Sequence, residues 1–260
     1  MANDFDKAAK QYDTAFTHSV IGKAQRKRVY ALLSEVLKKQ NPKKILEINC
    51  GTGEDAFWLA RQNYEVVATD ISEAMIAVAQ SKSDTANPVF FQADINDLPH
   101  PFSGEQFDLI FSNFGGLNCL SEIRLELFFK NAAELLSENG QLVLVIMPKN
   151  TKWEQFYFLA KANFQEAFRR KSHSAIANVD GQSVLTYYHN PSKTAALASG
   201  YFDLKTVHPI GFFVPPSYLE PHFSKKQKLV SFLDSCDIAL ANSGFLARHA
   251  DHYLINLQKR

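Results

Sequence analysis

Hydrophobic and polar positions follow two alternating patterns along residues 41–148 of the chain. Short apolar runs ending in Gly, Asn, Asp or Pro alternate with segments in which apolar residues return every three or four positions. A short uninterrupted apolar run is typical of a parallel strand buried on both faces, and the longer spacing is typical of an amphipathic helix. Repeated alternation of the two patterns predicts an α/β fold.

Five such strands are predicted in this half of the chain. Asn139-Gly140 predicts a turn before the fifth strand, and Pro148 ends it. With their flanking turns, the predicted strands cover residues 45–48, 64–72, 88–99, 107–120 and 136–148.

A glycine turn follows the first of these strands. Gly51 and Gly53 stand between the apolar run at 45–48 and a helix that begins near Ala56. A strand, glycine turn and helix present free backbone N–H groups at the edge of an α/β sheet, where nucleotide-like ligands bind. The same spacing also fits a dinucleotide-binding fold, so the turn alone leaves two ligand classes open.

Polar residues also end the next three strands. Asp70 lies about 20 residues after the glycines, where a carboxylate can accept both hydroxyls of a ribose. Asp94 follows the third strand, and Asn113-Phe114 followed by two glycines ends the fourth. Because the carboxyl ends of parallel strands meet at one edge of a sheet, these side chains predict one ligand site.

The series of motifs resembles the class I S-adenosylmethionine (SAM)-dependent methyltransferases, of the small-molecule type grouped around quinone- and biotin-pathway enzymes. The resemblance covers roughly residues 5–148 well and the C-terminal third more loosely. In that family an acidic-x-Gly-x-Gly-x-Gly turn wraps the methionine part of SAM, and here it stands as Glu47, Asn49, Gly51 and Gly53. Asn replaces the first glycine, and asparagine tolerates the left-handed backbone that the turn requires.

The family pattern implies SAM as the cofactor, with S-adenosylhomocysteine (SAH) as its product, and a role for each matching residue. Asp70 would bind the ribose and Asp94 the adenine amino group, with Ile95 against the ring. Tyr12, in the N-terminal cap, would approach the carboxylate end of SAM. The implied cofactor residues are Tyr12, Glu47, Asn49, Gly51, Gly53, Asp70, Ile71, Asp94, Ile95, Asn113 and Phe114.

The family also implies the architecture of the whole chain. The expected architecture is a single domain with a Rossmann-like, mostly parallel seven-stranded sheet flanked by helices. The last strand of this sheet, at residues 252–259, is expected to be antiparallel. The predicted parts are a helical cap at 1–40, a SAM-binding core at 41–148, a substrate-side insertion at 151–190 and the rest of the sheet at 191–260. Within the last two parts the pattern predicts a helix at 151–171, a strand at 183–190 after an Asp180-Gly181 turn, a helix at 191–199, an edge strand at 202–214 and a helix at 224–242.

Catalysis requires the acceptor to be aligned with the activated methyl group and water to be excluded. An oxygen acceptor with a high pKa also needs a base. His18, on the cap, and His189, at the end of the inserted strand, are the leading candidates. The other histidines considered are His173, His208 and His222, and the aromatic residues that would form an acceptor pocket are Trp153, Phe156, Tyr157, Tyr187, Tyr188, Phe212, Phe213 and Tyr218.

Composition and charge argue against several classes of binding partner. The 260 residues carry a net charge of +1, so no overall field favours nucleic acid, and the basic run at residues 23–28 is predicted to form the solvated face of a helix. Methyltransferases that modify exocyclic amines of DNA bases carry an Asn/Asp-Pro-Pro-aromatic turn at the end of the fourth strand. No Pro-Pro follows Asn113 here, which also argues against a nucleic-acid acceptor. The three scattered cysteines predict no metal site, and the polar N-terminus and lack of a long apolar run predict a reduced, cytoplasmic protein without stable membrane insertion.

The sequence therefore predicts a SAM-dependent methyltransferase acting on a small molecule, with O-, N- and C-methylation undecided and the oligomeric state unknown. Two alternatives stay open: a nicotinamide-dependent oxidoreductase on the same fold, and a SAM-binding protein without catalysis.

Overall fold

The computed structural model describes residues 6, 9–172, 174–179 and 182–260. Within these ranges seven strands form one sheet in the order β3-β2-β1-β4-β5-β9-β8, and β6 pairs with β7 in a separate hairpin. The strands are β1 (Lys44–Ile48), β2 (Glu65–Asp70), β3 (Val89–Gln92), β4 (Phe107–Ser112), β5 (Leu136–Ile146), β6 (Ala175–Val179), β7 (Gln182–Thr186), β8 (Phe202–Ile210) and β9 (His252–Lys259).

The first five strands are parallel, and β9 lies between β5 and β8 and runs antiparallel to both. The predicted fold class, including the reversed last strand and the edge position of β8, is confirmed. The α-helices are α1 (Ala9–Tyr12), α2 (Val20–Gln40), α3 (Glu54–Ala60), α4 (Glu73–Lys82), α5 (Glu122–Leu135), α6 (Lys152–Ala160), α7 (Phe164–Ala167), α8 (Pro191–Ala198), α9 (Glu220–Phe223), α10 (Gln227–Ala239) and α11 (Gly244–Ala247).

Helices cover both faces of the sheet. Alternate residues of β1 therefore enter different cores: Leu46 packs with Phe128 and Phe129 of α5, whereas Ile45 packs with Val29 of α2. Burial on both faces is the reason that the strands appear in the sequence as unbroken apolar runs. None of the helices in the described ranges combines the length and the hydropathy needed to cross a bilayer.

The prediction of a turn at Asn139-Gly140 before the fifth strand is wrong. Strand β5 begins at Leu136 and continues through both residues, and its register against β4 shifts between the pairs at Phe107 and Leu109. Asn139 takes a φ of 60°. The left-handed residue therefore makes an irregularity within one strand rather than a reversal of the chain.

The single helix predicted at 151–171 is also wrong, because α6 stops at Ala160 and α7 is a separate turn of helix. Ala162 takes a φ of 54°, and the side chain of Asn163 accepts the N–H of Glu166 and caps α7. A left-handed residue and a new N-cap end one helix and begin another. Apolar spacing continues across the break, which is why the pattern gave no sign of it.

The predicted strand at 183–190 is present only in part, as β7, and its partner β6 was missed. The Asp180-Gly181 turn lies outside the described residues. The boundaries of the four predicted parts of the domain stay predictions.

The basic run at residues 23–28 does not form a solvated face. Lys23 and Lys27 are exposed, but Gln25, Arg26 and Arg28 are buried. Helix α2 is covered on one side by the sheet and on another by α10, so it has little free surface for charge. The prediction failed because the second cover comes from more than 200 residues along the chain.

Candidate functional site

A cavity of about 400 Å³ opens at the carboxyl ends of β1, β2 and β4 and at the start of β9. This is the edge at which ligands bind in open α/β sheets. Nine of the eleven predicted cofactor residues line it, namely Tyr12, Asn49, Gly51, Asp70, Ile71, Asp94, Ile95, Asn113 and Phe114. Of the other two, Glu47 is buried beneath the glycine turn, and Gly53 ends the turn directly before α3.

The turn after β1 has the left-handed backbone that its residues predict. Asn49, Gly51 and Gly53 have φ values of 56°, 53° and 82°. At Gly53, the residue before α3, a Cβ atom would lie 2.8 Å from the ring of Phe90. Gly53 is therefore required by both conformation and space, and the backbone of the turn approaches the cavity closely at Gly51.

Asp70 joins this turn to the end of β2. Its Oδ2 accepts the N–H of Gly51 at 2.9 Å, and its Oδ1 accepts the N–H of Ser72 at 2.9 Å. Burial raises the pKa of the Asp70 carboxyl, and the two N–H donors oppose that shift in part. The carboxylate thus lies at the cavity wall with its geometry fixed by two backbone groups.

Glu47 is buried below the turn, with its Oε2 lacking a hydrogen-bond partner among the described residues. Burial raises the pKa of Glu47 well above its ordinary value, and the nearby carboxylates of Asp55 and Asp70 raise it further, whereas Arg26 lowers it. A buried acidic group without a partner provides a region that favours positive charge close to the cavity.

Asp94 lies past the end of β3. Its Oδ1 accepts the backbone N–H of Asn96 at 2.8 Å and the side-chain amide of the same residue at 2.7 Å. These bonds cap a short 3₁₀ turn, Ile95–Asp97, which places the Ile95 side chain in the cavity wall. The Asp94 carboxylate and the apolar Ile95 side chain are therefore neighbours in the part of the cavity wall that follows β3.

The segment before α2 covers the cavity from above. Asp13 accepts hydrogen bonds from Thr52 at 2.6 Å and from Lys82 at 2.9 Å, which ties this segment to the glycine turn and to α4. The ring of Tyr12 stands over the turn, 3.8 Å from the position that a Cβ on Gly51 would take. The predicted helical cap is thus in contact with the glycine turn.

A buried polar network fixes the residues that follow β4. The Asn113 side chain donates to Oδ2 of Asp55 at 2.9 Å, and Arg26 donates to the other carboxylate oxygen. Burial alone would lower the pKa of Arg26, but the Asp55 carboxylate raises it above its ordinary value. The Arg26 guanidinium lies 5.3 Å from the ring centroid of Phe114 and 5.8 Å from that of Phe16.

Neither of the two leading histidines lines the cavity. His18, on the cap, is exposed. His189 is buried, with its Nε2 2.9 Å from the carbonyl oxygen of Leu120. Of the others, His208 contacts the carbonyl of Ala241, and His173 lies outside the described residues. The catalytic roles of His18 and His189 stay predictions, without support from their positions.

Among the described residues, the histidine that lines the cavity is His252, which the sequence patterns did not select. Its Nδ1 lies 3.2 Å from Oδ2 of Asp251, and its ring packs edge-on against Phe114 with 5.5 Å between centroids. The signal was the Asp-His pair at the start of the last strand. Because that strand is antiparallel, its first residues lie at the carboxyl edge of the sheet.

Tyr188 and Tyr218 are the members of the predicted aromatic group that line the cavity, together with Arg169 and Arg170. Phe156 is 71% exposed on α6. Burial raises the pKa of both Tyr188 and Tyr218 above the ordinary value. The remaining predicted aromatic residues, Trp153, Tyr157, Tyr187, Phe212 and Phe213, do not line it.

Comparison with known proteins agrees with this site. A family described as a methyltransferase domain matches residues 45–140. The demethylmenaquinone methyltransferase of Thermotoga maritima is 31% identical over 153 residues, which cover 57% of this chain and 62% of the relative. The malonyl-[acyl-carrier protein] O-methyltransferase of Bacillus cereus is 33% identical over 132 residues, covering 48% of this chain and 45% of the relative.

Among solved structures, the magnesium protoporphyrin IX methyltransferase of Synechocystis PCC 6803, crystallised with bound SAH, matches with a TM-score of 0.58 and 15% identity. The match covers 93% of this chain and 86% of that one, and it shows a shared fold. The chain spans between about two fifths and three fifths of the length of the first curated relatives that it matches. The resemblance to class I methyltransferases predicted from the motifs is confirmed.

Proposed function

We propose that this chain, whose residues 45–140 match a family described as a methyltransferase domain, transfers a methyl group from SAM to a small-molecule acceptor. One observation carries the proposal: nine of the residues that the family pattern assigns to the cofactor line a single cavity. Chance would not bring together residues separated by up to about 100 positions in the sequence.

The charge of the site fits SAM, which carries a sulfonium and an ammonium group together with one carboxylate. The buried Glu47 has an oxygen without a partner among the described residues, and Asp70 lies at the cavity wall. Raised pKa values on both groups reflect burial and neighbouring negative charge. A cationic ligand would relieve that repulsion, whereas a nicotinamide dinucleotide, with its two phosphates, would add to it.

Each part of the wall has a role in this proposal. Asp70 accepts hydrogen bonds from the ribose hydroxyls, and Asp94 accepts one from the adenine amino group, with Ile95 against the ring. Tyr12 closes the cavity over the glycine turn, and Phe114 lines the end where transfer occurs. When bound, SAM supplies a methyl group that its sulfonium has already activated, so these residues act mainly by orienting the reactants and excluding water.

The acceptor is a small molecule in this proposal because the cavity is covered on two sides. The cap bearing Tyr12 lies over one end, and Tyr188 and Tyr218 lie at the other. The two relatives named above differ in the acceptors that their names give, a demethylmenaquinone and a malonyl carrier protein. Relatedness therefore supports the type of reaction and leaves the acceptor to this chain's own residues.

Transfer of label from SAM carrying a tritiated methyl group tests the proposal. The protein is incubated with pools of phenols, carboxylic acids, amines and thiols, and separately with duplex DNA, transfer RNA and a mixture of unfolded proteins. The proposal predicts label in small molecules. Label found in none of the pools, or found in macromolecules alone, would contradict it.

A further inference from the structure

We propose that His252 is the general base of this site and that the acceptor is therefore a hydroxyl compound, methylated on oxygen. This inference rests on the proposed function and adds the class of acceptor and the residue that removes its proton. Asp251, which acts through the ring of His252, is a positioning residue.

The position of His252 follows from the topology of the sheet. Its neighbour Tyr253 pairs with Ile146, the last residue of β5, and His252 itself pairs with Ile210 at the end of β8. The ring therefore lies at the same edge of the sheet as the glycine turn, although the two are about 200 residues apart in sequence.

A row of aromatic contacts connects the cofactor end of the cavity to His252. Tyr12 lies 5.8 Å from Phe16, Phe16 lies 4.9 Å from Phe114, and Phe114 lies 5.5 Å from His252, measured between ring centroids. Phe114 directly follows Asn113, the residue that the family pattern places at the transfer end. His252 thus packs against the residue at the transfer end, where an acceptor would lie.

The two ring nitrogens of His252 have different surroundings. Nδ1 lies 3.2 Å from Oδ2 of Asp251, close enough for an ion pair but without the geometry of a hydrogen bond, and Nε2 has no hydrogen bond to the described residues. A carboxylate beside Nδ1 favours a proton on that nitrogen and leaves a lone pair on Nε2. Nε2 is then the atom that can take a proton from a bound hydroxyl.

Neighbouring donors and charges keep the Asp251 carboxylate ionised and in place beside His252. Arg170 donates to Oδ1 of Asp251 at 3.0 Å, and Gln25 donates to Oδ2 at 3.1 Å. Burial opposes ionisation, but His252 and Arg170 hold the pKa of Asp251 well below its ordinary value. The carboxylate is thus ionised, with Arg170 balancing part of its charge, and it can stabilise the imidazolium that forms when His252 takes a proton.

Other charged and titratable groups also surround this pair, from every element packed against it. They are Glu154 on α6, Arg169 in the 3₁₀ turn Arg169–Lys171, Tyr188 after β7, Tyr218 before α9 and, on the other side of Phe114, Arg26 on α2.

The remaining ionisable groups of the cavity suit the role of base less well. Burial raises the pKa values of Tyr188 and Tyr218, which keeps both phenols protonated. Burial also raises the pKa of the Cys119 thiol to about 11. Asp70 and Asp94 are engaged by backbone N–H groups at the cofactor end.

The nature of the base indicates the acceptor. A neutral amine attacks with its own lone pair and loses its proton afterwards, and a thiol ionises readily near neutral pH, whereas a hydroxyl needs its proton removed as it reacts. The acceptor oxygen forms a bond to the methyl carbon while the carbon–sulfur bond breaks and leaves its electron pair on sulfur. The hydroxyl proton passes to Nε2 of His252 and then to solvent after the product leaves.

The experiment compares wild type with His252→Gln and with His100→Gln, a matched control at an exposed histidine outside the cavity. Calorimetry first measures SAH affinity, which we expect to be equal in all three proteins. Rates of methyl transfer are then measured with phenol, 4-nitrophenol, aniline and thiophenol. We expect His252→Gln to slow transfer to phenol by about 100-fold or more, and transfer to 4-nitrophenol, which is largely ionised above neutral pH, far less.

A second measurement does not depend on turnover. The visible absorbance of 4-nitrophenolate is followed against pH in the SAH-saturated proteins. We expect the bound phenol to ionise at a lower pH in wild type and His100→Gln than in His252→Gln, since only the last lacks the proton acceptor.

Three results would overturn the inference while SAH still binds: transfer to aniline or thiophenol alone, transfer to no member of the series, or equal slowing of phenol and 4-nitrophenol. The last would mean that His252 has only a structural role. Failure of all three proteins to bind SAH would overturn the proposed function itself, and the inference with it.

Discussion

At the scale of single residues, Asp70 combines a structural and a binding task. Its two oxygens already accept the N–H groups of Gly51 and Ser72, which holds the glycine turn against the end of β2. An ionised carboxylate has about four acceptor positions, so it can also accept hydroxyl groups without releasing these donors. The same side chain thus holds the turn in place and can accept hydrogen bonds from a ribose.

Replacing Asp70 with Ala should weaken the binding of SAH by about 1–3 kcal/mol, because charge-assisted hydrogen bonds to the ribose are lost. Asp84→Ala, at an exposed aspartate away from the cavity, is the matched control and should leave the affinity unchanged. Calorimetric titration measures both. An unaltered affinity in Asp70→Ala would place the ribose elsewhere.

Glu47 should make the stability of the protein depend on pH. Its pKa in the folded state is raised above the ordinary glutamate value of 4.5 by burial and by nearby carboxylates. The folded state therefore holds this proton more tightly than the unfolded state, and the free energy of unfolding falls as pH rises above that value. The expected loss continues until Glu47 ionises in the folded protein.

Glu47→Gln has the same shape without the charge, so it should be more stable than wild type at pH 7 and no more stable at pH 4. The proposed attraction for the cationic cofactor would be lost, and SAM affinity should fall. Urea unfolding at the two pH values provides the measurement, with exposed Glu35→Gln as control. A variant less stable than wild type at pH 7 would argue against a destabilising charge.

At the scale of elements, local signals predicted the parallel strands well and the substrate side poorly. Runs such as residues 45–48 are apolar because helices cover both faces, and that requirement is visible in the sequence itself. The basic run at 23–28 is buried because α10 packs on α2, and no local pattern records this contact. The break at Ala162 and the strand β6 were missed for a similar reason, since the apolar spacing there does not mark them.

One buried carboxylate joins the two ends of segment 152–171. Glu154 on α6 is almost fully buried and accepts from Arg169 at 2.9 and 3.1 Å and from Arg170 at 3.0 Å. Arg170 in turn reaches Asp251 beside His252. The helix break at Ala162 is what allows the two arginines to face back toward Glu154.

Glu154→Ala should lower the free energy of unfolding by about 3–5 kcal/mol, because it leaves buried guanidinium groups without their partner. The Glu166 carboxylate pairs with Arg169 at 3.2 Å and its side chain is 39% exposed, so Glu166→Ala should cost no more than about 1 kcal/mol. Urea denaturation of the pair gives the comparison. Equal costs would show that the buried network contributes little.

At the scale of the whole molecule, the topology explains which half of the site the sequence could predict. Apart from Tyr12, the cofactor end consists of residues within or shortly after their own strands, so each carries a local motif. The acceptor end joins His252, Arg170 and Tyr218 from three distant segments, and its composition depends on the reversed strand β9. A pattern along the chain could therefore find Asp70 and Asp94 and miss His252.

Overall charge agrees with a small acceptor, since the net charge of +1 provides no extended field for a polyanion. The specificity of the site then depends on the local groups at its acceptor end.

Calorimetric titration of the wild-type protein with SAM, SAH and NADH tests the central claim most directly. The account predicts micromolar binding of SAM and SAH at one site per chain and no detectable binding of NADH. Binding of NADH with no heat from SAM or SAH would contradict it, because the cavity would then belong to a nicotinamide enzyme on the same fold.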